Sequence, residues 1–420
     1  MKHSVMRKRE WRPPRETANR IALILALAAR SLSAPAQTNC SLAVSATLTG
    51  QSGQVELRWE SCTNYDYQVE KTGDFQAWNF AGPPYAAPAG GGWLTNVLTA
   101  TNPYTFYRVR TRTLTNSPVP AAPGNYDNLF MTADGLRRSY RLMLPTNYNP
   151  AVSNAFAFIL HGHNQTADSF VNLHPGLLVS ALTNNLILAL PNGVADERGT
   201  GWSNRDPEPG EYQVNDVSFL LALLDRLDAT LTLDRRRIYS GGFSAGGVMS
   251  YYLSSRTTNV LAAIAAVESA IGGSRDTNAP IVTNPPPSGP LSAFILNCTN
   301  SCGRPYYGGL SDAGSLMTPA IAAAYFWTNA NLCTAAMTAT TNTFVSSNIN
   351  RFSACGYKPP ASEPQTNQVI IQRWLTCTGA TEVFFVTLTD GGHIWPDGND
   401  NLGFDANREV LRFFLQHQRP

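Results

Sequence analysis

Arg237-Ile238-Tyr239-Ser240-Gly241-Gly242-Phe243-Ser244-Ala245-Gly246-Gly247-Val248 joins an apolar strand-like run to Gly-x-Ser-x-Gly and then to a helix-like stretch, Val248 to Ser254. In that setting the pentapeptide forms a sharp strand-to-helix turn that lifts a serine hydroxyl above the end of a sheet. The glycines two residues either side leave room for the turn and for close approach of helix to strand. A Gly/Ser-rich loop would carry the same five residues, and the flanking strand and helix argue against it. Ser244 is therefore the candidate nucleophile.

Outward from this turn, strands alternate with helices from Asn128 onward, the pattern of a parallel α/β sheet. Arg141 to Leu144, Ala155 to Leu160, Leu186 to Leu190 and Arg237 to Ser240 read as strands, followed by Ala262 to Val267, Leu291 to Leu296 and Glu382 to Leu388. Helices are expected over Val217 to Leu227, Val248 to Ser255, Pro319 to Asn331 and Ala406 to Gln416, with Asn215 or Asp216 capping the first. Residues 38–115 read instead as short strands between turns, a small β-sandwich. There, "YQVE" (67–70), Trp78 and "FYRVR" (106–110) resemble the fibronectin-III-like modules of secreted bacterial proteins, for which a spacer and a substrate-adhesion role are both open. The expected division is a signal peptide over 1–36, the sandwich over 37–115, a Pro-rich linker over 116–127 and an α/β domain over 128–420.

The signal peptide is expected from a basic region with Lys2, Arg7, Lys8, Arg9, Arg12, Arg15 and Arg20, then the apolar run Ile21 to Ala29 and a small-residue site at Ala34-Pro35-Ala36. The run is too short to span a bilayer; an uncleaved anchor is the alternative. Without residues 1–36 the 420-residue chain keeps 23 Lys and Arg against 27 Asp and Glu, a net charge of −4. The apparent basicity is thus an export signal, and nothing supports nucleic-acid binding or, once the signal is removed, a membrane. The expectation is a secreted monomer, extracellular or periplasmic. All seven cysteines follow the cleavage site, as an oxidising compartment would have them. Cys40 and Cys62 are expected to pair. Cys298, Cys302, Cys333, Cys355 and Cys377 leave one over, and with no CxxC or nearby His they do not look like a zinc site.

Two further clusters fall at expected strand ends, where open α/β sheets build their sites. His161-Gly162-His163-Asn164 can aim the main-chain N–H of His163 at a developing oxyanion, with Ala245 N–H as the second donor. His161 itself reads as a structural histidine. Thr389-Asp390-Gly391-Gly392-His393-Ile394-Trp395-Pro396 places His393 in a Gly-flanked loop after the last strand, where a general base must reach the serine.

With these in place, "HGHNQTADSF" (161–170), "VNDVSFLLALLDRL" (214–227), "GGFSAGGVMS" (241–250), "PYYGG" (305–309) and "GGHIWP" (391–396) stand in order along the chain. Together they resemble the secreted poly(3-hydroxybutyrate) depolymerase-like esterases, a group similar to feruloyl and acetylxylan esterases with the α/β-hydrolase fold. The resemblance spans about residues 130–416. It implies a mostly parallel central sheet, Ser244 as nucleophile, His393 as base, His163 and Ala245 as oxyanion donors, no cofactor and no metal. It also implies a bridge between Cys333 and Cys377. His163 stands where many depolymerases have a cysteine, which matters little if only the main chain is used.

The family carries its acid in a Gly-Thr-x-Asp-x-x-Val-Pro-Tyr segment after the seventh strand; here Ser301 occupies the Asp position. Serine cannot offset the charge of an imidazolium. Glu268, after the expected sixth strand, is the candidate for a moved acid, and an exposed loop carboxylate is the other reading. Asp312 and Asp390 are weaker candidates. The expected reaction is ester hydrolysis through an acyl-enzyme, on hydroxyalkanoate polyesters or oligomers, with feruloyl or acetylxylan esters as the alternative. Trp202, Tyr306 and Trp395, with Tyr307, are candidate walls of an acyl or aryl pocket, and core or loop packing is an equal reading of them. Loss of the acid leaves a further alternative, a non-catalytic binding protein on a hydrolase scaffold.

Overall fold

The computed structural model describes residues 43–49, 54–99, 105–196, 199–205, 214–334, 337–346, 365–400 and 402–419. The basic and apolar N-terminal segment, Cys40 and Cys355 lie outside them. The chain divides into two compact units, one ending at Thr111 and one beginning at Arg112.

The larger unit is built on ten strands: β1 (Gly124–Ala133), β2 (Leu136–Leu144), β3 (Asn154–Leu160), β4 (Leu186–Pro191), β5 (Leu233–Phe243), β6 (Ala263–Val267), β7 (Ser292–Cys298), β8 (Thr338–Ser346), β9 (Gln365–Trp374) and β10 (Val383–Leu388). Their order across the sheet is β8-β9-β10-β7-β6-β5-β3-β4-β2-β1. Pairing is parallel from β10 through β4 and antiparallel at both margins. The sheet is therefore mixed, with its parallel part in the middle. The antiparallel margins add to the parallel strands expected from the sequence: β8 is a largely polar run, and β1 alternates only in its second half, where Leu129, Met131 and Ala133 are buried.

The central strands are buried on both faces, and every residue of Asn154–Leu160 and Ser292–Cys298 is enclosed. Successive side chains alternate between two cores. Phe156, Phe158 and Leu160 join one with helices α3 (Asp216–Leu231), α4 (Ala245–Arg256) and α5 (Ala320–Ala330); Ala155, Ala157 and Ile159 join the other with α1 (Ala167–Leu173), α2 (Gly176–Thr183) and α6 (Ala406–Leu415). In α3 the spacing of Phe219, Leu220, Leu223, Leu224, Leu227 and Leu231 makes one apolar stripe, all of it buried. Each such side chain is worth about 2 kcal/mol of burial. Asn215, not Asp216, caps this helix, accepting from Ser218 N at 2.9 Å. Asp216 lies buried in an ion pair with Arg138, and its other oxygen accepts from Ser203 N at 2.7 Å.

Asn116 to Gly124, expected as linker, is tied to β1: Ser117 N donates to Phe130 O (2.8 Å) and Thr132 N donates to Asn116 Oδ1 (2.7 Å). In the smaller unit, strands Val44–Leu48, Gln54–Ser61 and Gly92–Thr99 form one sheet, and Tyr65–Thr72 pairs with Asn79–Phe80, Tyr85–Ala86 and Phe106–Thr113 in another. Trp59 and Leu57 from the first share a core with Tyr67, Val69, Tyr107 and Val109 from the second. Cys333 and Cys377 are bridged, tying the end of α5 to the segment before β10. Cys62 and Cys302 are each in a disulfide, and Cys298 is a free, buried thiol.

Candidate active site

Ser244 sits at the junction of β5 and α4 with φ 52° and ψ −115°, a backbone that side chains with a Cβ rarely adopt. Its surroundings hold it there. Ser244 N donates to Val267 O at 2.9 Å, and Ser269 Oγ donates to Ser244 O at 2.7 Å. Crowding explains both flanking glycines. A Cβ on Gly246 would lie 2.0 Å from Leu160 O, and one on Gly242 would lie 2.4 Å from Gly246 C.

His393 comes from the loop after β10. Its Nε2 lies 2.9 Å from Ser244 Oγ, and its Nδ1 lies 3.1 Å from Glu268 Oε2. Glu268 follows β6 directly and is 0% exposed, so the exposed-loop reading of this carboxylate is corrected. Its backbone takes φ 52°, with its N–H on Leu296 O at 2.7 Å. The other oxygen, Oε1, accepts from Cys298 N at the end of β7. With Glu268 as acceptor, Nδ1 carries the proton and Nε2 presents its lone pair to the serine.

The turn after β7 also supports the imidazole. Ser301, 5% exposed, places Oγ at 3.3 Å from His393 Nδ1 and accepts from Arg304 N at 3.2 Å. A Cβ on Gly303 would lie 2.7 Å from both Cγ and Cδ2 of His393, so the ring rests on the glycine itself. Phe243 packs beside the ring, centroids 5.0 Å apart. Asn300 Oδ1 accepts from Gly392 N (2.8 Å) and Thr299 Oγ1 donates to Thr389 O (2.8 Å), which stitches this turn to the histidine loop. Asp390 accepts from Asn300 Nδ2 (2.6 Å) and Gly391 N (3.0 Å), so it shapes the loop. Asp312 is exposed, with its N–H on Cys302 O at 3.0 Å. Burial and the Glu268 charge together push the Cys298 thiol well above its usual pKa, leaving it protonated.

Ala245 opens α4, where a first-turn N–H has no acceptor within the helix. The main-chain N–H of His163, in the turn after β3, makes no hydrogen bond among the described residues, whereas that of Asn164 is held by Thr200 O at 2.8 Å. His161 supports the turn. Its Nδ1 donates to Gly162 O (2.8 Å), its Nε2 accepts from Gly193 N (3.0 Å), and burial lowers its pKa to about 4, so it stays neutral.

Of the aromatic residues considered as pocket walls, Trp395 and Trp202 take the alternative reading of buried packing residues. Trp395 is 2% exposed, packed on Phe170 with its N–H on Asn407 Oδ1 at 2.9 Å, and is a core residue. Trp202 is buried against His161 with its N–H on His161 O at 2.8 Å, which braces the turn from within. Tyr306 is half-buried, its hydroxyl 2.8 Å from Thr387 Oγ1, and Tyr307 is exposed. A cavity of about 470 Å³ opens at the opposite end of the parallel strands, lined by Ser254, Ser292, Thr381 and Arg419, away from the serine. No group of three His, Cys, Asp or Glu among the described residues could hold a metal ion. Sequence reasoning missed the roles of Gly303, Phe243 and the Ser301 hydroxyl, which depend on tertiary contacts and leave no local signal.

No family model matches the chain. Among curated proteins, NocK of Nocardia uniformis subsp. tsuyamanensis, named as an esterase, is 27% identical over 273 residues, covering 63% of this chain and 72% of NocK. Feruloyl esterase C of Emericella nidulans is 30% identical over 120 residues, covering 28% of this chain and 40% of that protein. Feruloyl esterase B of Piromyces equi is 25% identical over 269 residues, covering 62% of this chain and again 40% of the relative. The chain thus spans less than half the length of these feruloyl esterases. Among solved structures, native sOPH aligns at 16% identity and a TM-score of 0.44, covering 73% of this chain and 91% of that one. Acetyl xylan esterase from Aspergillus awamori aligns at 11% identity and a TM-score of 0.37, covering 66% and 93%. These three sequence relatives are esterases by name.

Proposed function

We propose that the chain is a serine carboxylic-ester hydrolase of α/β-hydrolase architecture. The observation that carries this reading is the relay of Ser244 Oγ, His393 Nε2 at 2.9 Å, and His393 Nδ1 with Glu268 Oε2 at 3.1 Å. Relatives named as esterases support the same reaction class.

Ser244 Oγ attacks the ester carbonyl carbon as His393 Nε2 takes the hydroxyl proton. The carbonyl oxygen becomes an oxyanion, which the N–H groups of His163 and Ala245 receive, each worth roughly 3–4 kcal/mol of barrier. Glu268 stabilises the imidazolium without taking its proton. His393 then protonates the alcohol oxygen as the C–O bond breaks, leaving an acyl-Ser244. Water, deprotonated by His393, repeats the sequence and releases the acid. With an acid supplied from β6, the main support for a non-catalytic scaffold falls away.

For the substrate we infer a hydroxyalkanoate polyester or its oligomers, on the resemblance carried by the ordered motifs at 161–170, 214–227, 241–250, 305–309 and 391–396. The second reading, feruloyl or acetyl esters of plant cell-wall polysaccharide, draws on the relatives named feruloyl esterases. The basic region and short apolar run before Gln37 support export; the exported chain is read as a monomer, with residues 37–115 as a fibronectin-III-like spacer. A panel of p-nitrophenyl esters, a polyhydroxybutyrate film and feruloylated arabinoxylan separates the two substrates. Turnover of none of them, with an intact fold, would refute the proposal.

A further inference from the structure

His393 Nδ1 has two oxygens within reach, and they come from neighbouring strand ends. Glu268 Oε2 lies at 3.1 Å and Ser301 Oγ at 3.3 Å. We propose that Ser301 is a positioning residue, whose hydroxyl accepts a share of the Nδ1–H bond and does so more strongly once the ring becomes an imidazolium. This rests on the reading of Ser244, His393 and Glu268 as a catalytic relay.

The chemistry follows from donor counting. A hydroxyl oxygen has two acceptor sites. One is used by Arg304 N–H at 3.2 Å, and the other faces Nδ1. Nδ1 carries its proton in both states, so the hydroxyl accepts throughout, and the bond becomes charge-assisted when Nε2 is protonated during the attack. A hydrogen bond to a charged partner is stronger than one to a neutral partner, so the contact gains strength as the barrier is climbed. Only such a gain accelerates the chemical step. Ser301 is placed for this by its own turn, where Ser301 N–H meets Cys298 O at 3.4 Å and Gly303 lies flush against the imidazole. The same turn, through Cys298 N–H, holds the other oxygen of Glu268. One seven-residue turn, Cys298 to Arg304, therefore grips both the acid and the ring.

Ser301→Ala should lower kcat about tenfold with KM unchanged, the worth of one hydrogen bond to a charged group. Removing an acceptor that favours the protonated ring should move the acidic limb of kcat/KM to lower pH. Ser301→Thr keeps the hydroxyl and should restore both. Because the two acceptors share one N–H, the Ser301→Ala loss should grow when Glu268→Ala is already present. A Ser301→Ala enzyme with wild-type kcat, or with its acidic limb at higher pH, would overturn the inference. So would an equal loss in Ser301→Thr, which would mark a structural defect. If Ser244→Ala still hydrolyses ester, the relay itself is wrong and the failure lies in that earlier reading.

Discussion

Replacing Glu268 by Gln removes the charge of the carboxylate that contacts His393 Nδ1. The carboxylate is fully buried, 3.1 Å from the ring nitrogen that becomes cationic during attack. Two unit charges about 4 Å apart at an effective dielectric of about 20 attract by about 4 kcal/mol, which is about three orders of magnitude in rate. The amide adds a second penalty. If its NH2 faces Nδ1 it favours the tautomer with the proton on Nε2, which cannot accept from Ser244; in a related triad that error costs about 10⁴ in kcat. The expected fall in kcat for Glu268→Gln is therefore 10³ to 10⁴, measured with p-nitrophenyl butyrate at pH 8, with KM changing little. Circular dichroism and a thermal melt establish that the variant is folded. A folded Glu268→Gln enzyme within tenfold of wild type would refute the assignment of the acid and return attention to the turn after β7.

Other substitutions test the frame around the relay. Gly303→Ala should drive a methyl group into the imidazole, whose nearest atoms lie 2.7 Å from the new Cβ; kcat should fall on the order of 10²-fold with little change in melting temperature, and unchanged turnover would show that the ring does not rest there. His161 is neutral in the fold because burial lowers its pKa from 6.5 to about 4. The unfolded chain binds that proton at the higher value, so stability is lost as pH falls from 6.5 toward 4, by about 3 kcal/mol from this residue at the lower end. Urea melts at pH 7 and 4.5 should show a smaller drop for His161→Gln than for wild type, and equal drops would contradict this. The Cys333–Cys377 bridge closes a separation of 44 residues. Its removal as the double Ala variant should cost about 4 kcal/mol by chain entropy, read from the urea midpoint, and a loss below 1 kcal/mol would count against that account.

The parts legible in the sequence are those that one short segment encodes. The elbow around Ser244 is a local conformation forced by Gly242 and Gly246, and the Gly-flanked loop of His393 is equally local. Glu268 could be singled out because a carboxylate directly after Ala262 to Val267 stands at the end of a strand beside the one that carries the family's acid, but only the fold shows that it is buried and not in an exposed loop. Other features needed the fold. Gly303 carries no periodicity, and its value comes from a ring ninety residues away in sequence. Trp395 read equally well as a pocket wall or as core packing, and only the fold decides between them by setting it against Phe170 at 2% exposure. The hairpin of β8 and β9 was missed because Thr338–Ser346 is largely polar and exposed, a margin strand that packs little.

Covalent capture of the nucleophile tests the central claim most directly. Brief exposure of the protein to a fluorophosphonate, followed by peptide mass spectrometry, should give a single adduct at Ser244. It should be absent in Ser244→Ala and slowed by orders of magnitude in His393→Ala and Glu268→Gln. No adduct in the folded wild type, or one that forms as fast without His393 as with it, would contradict the account.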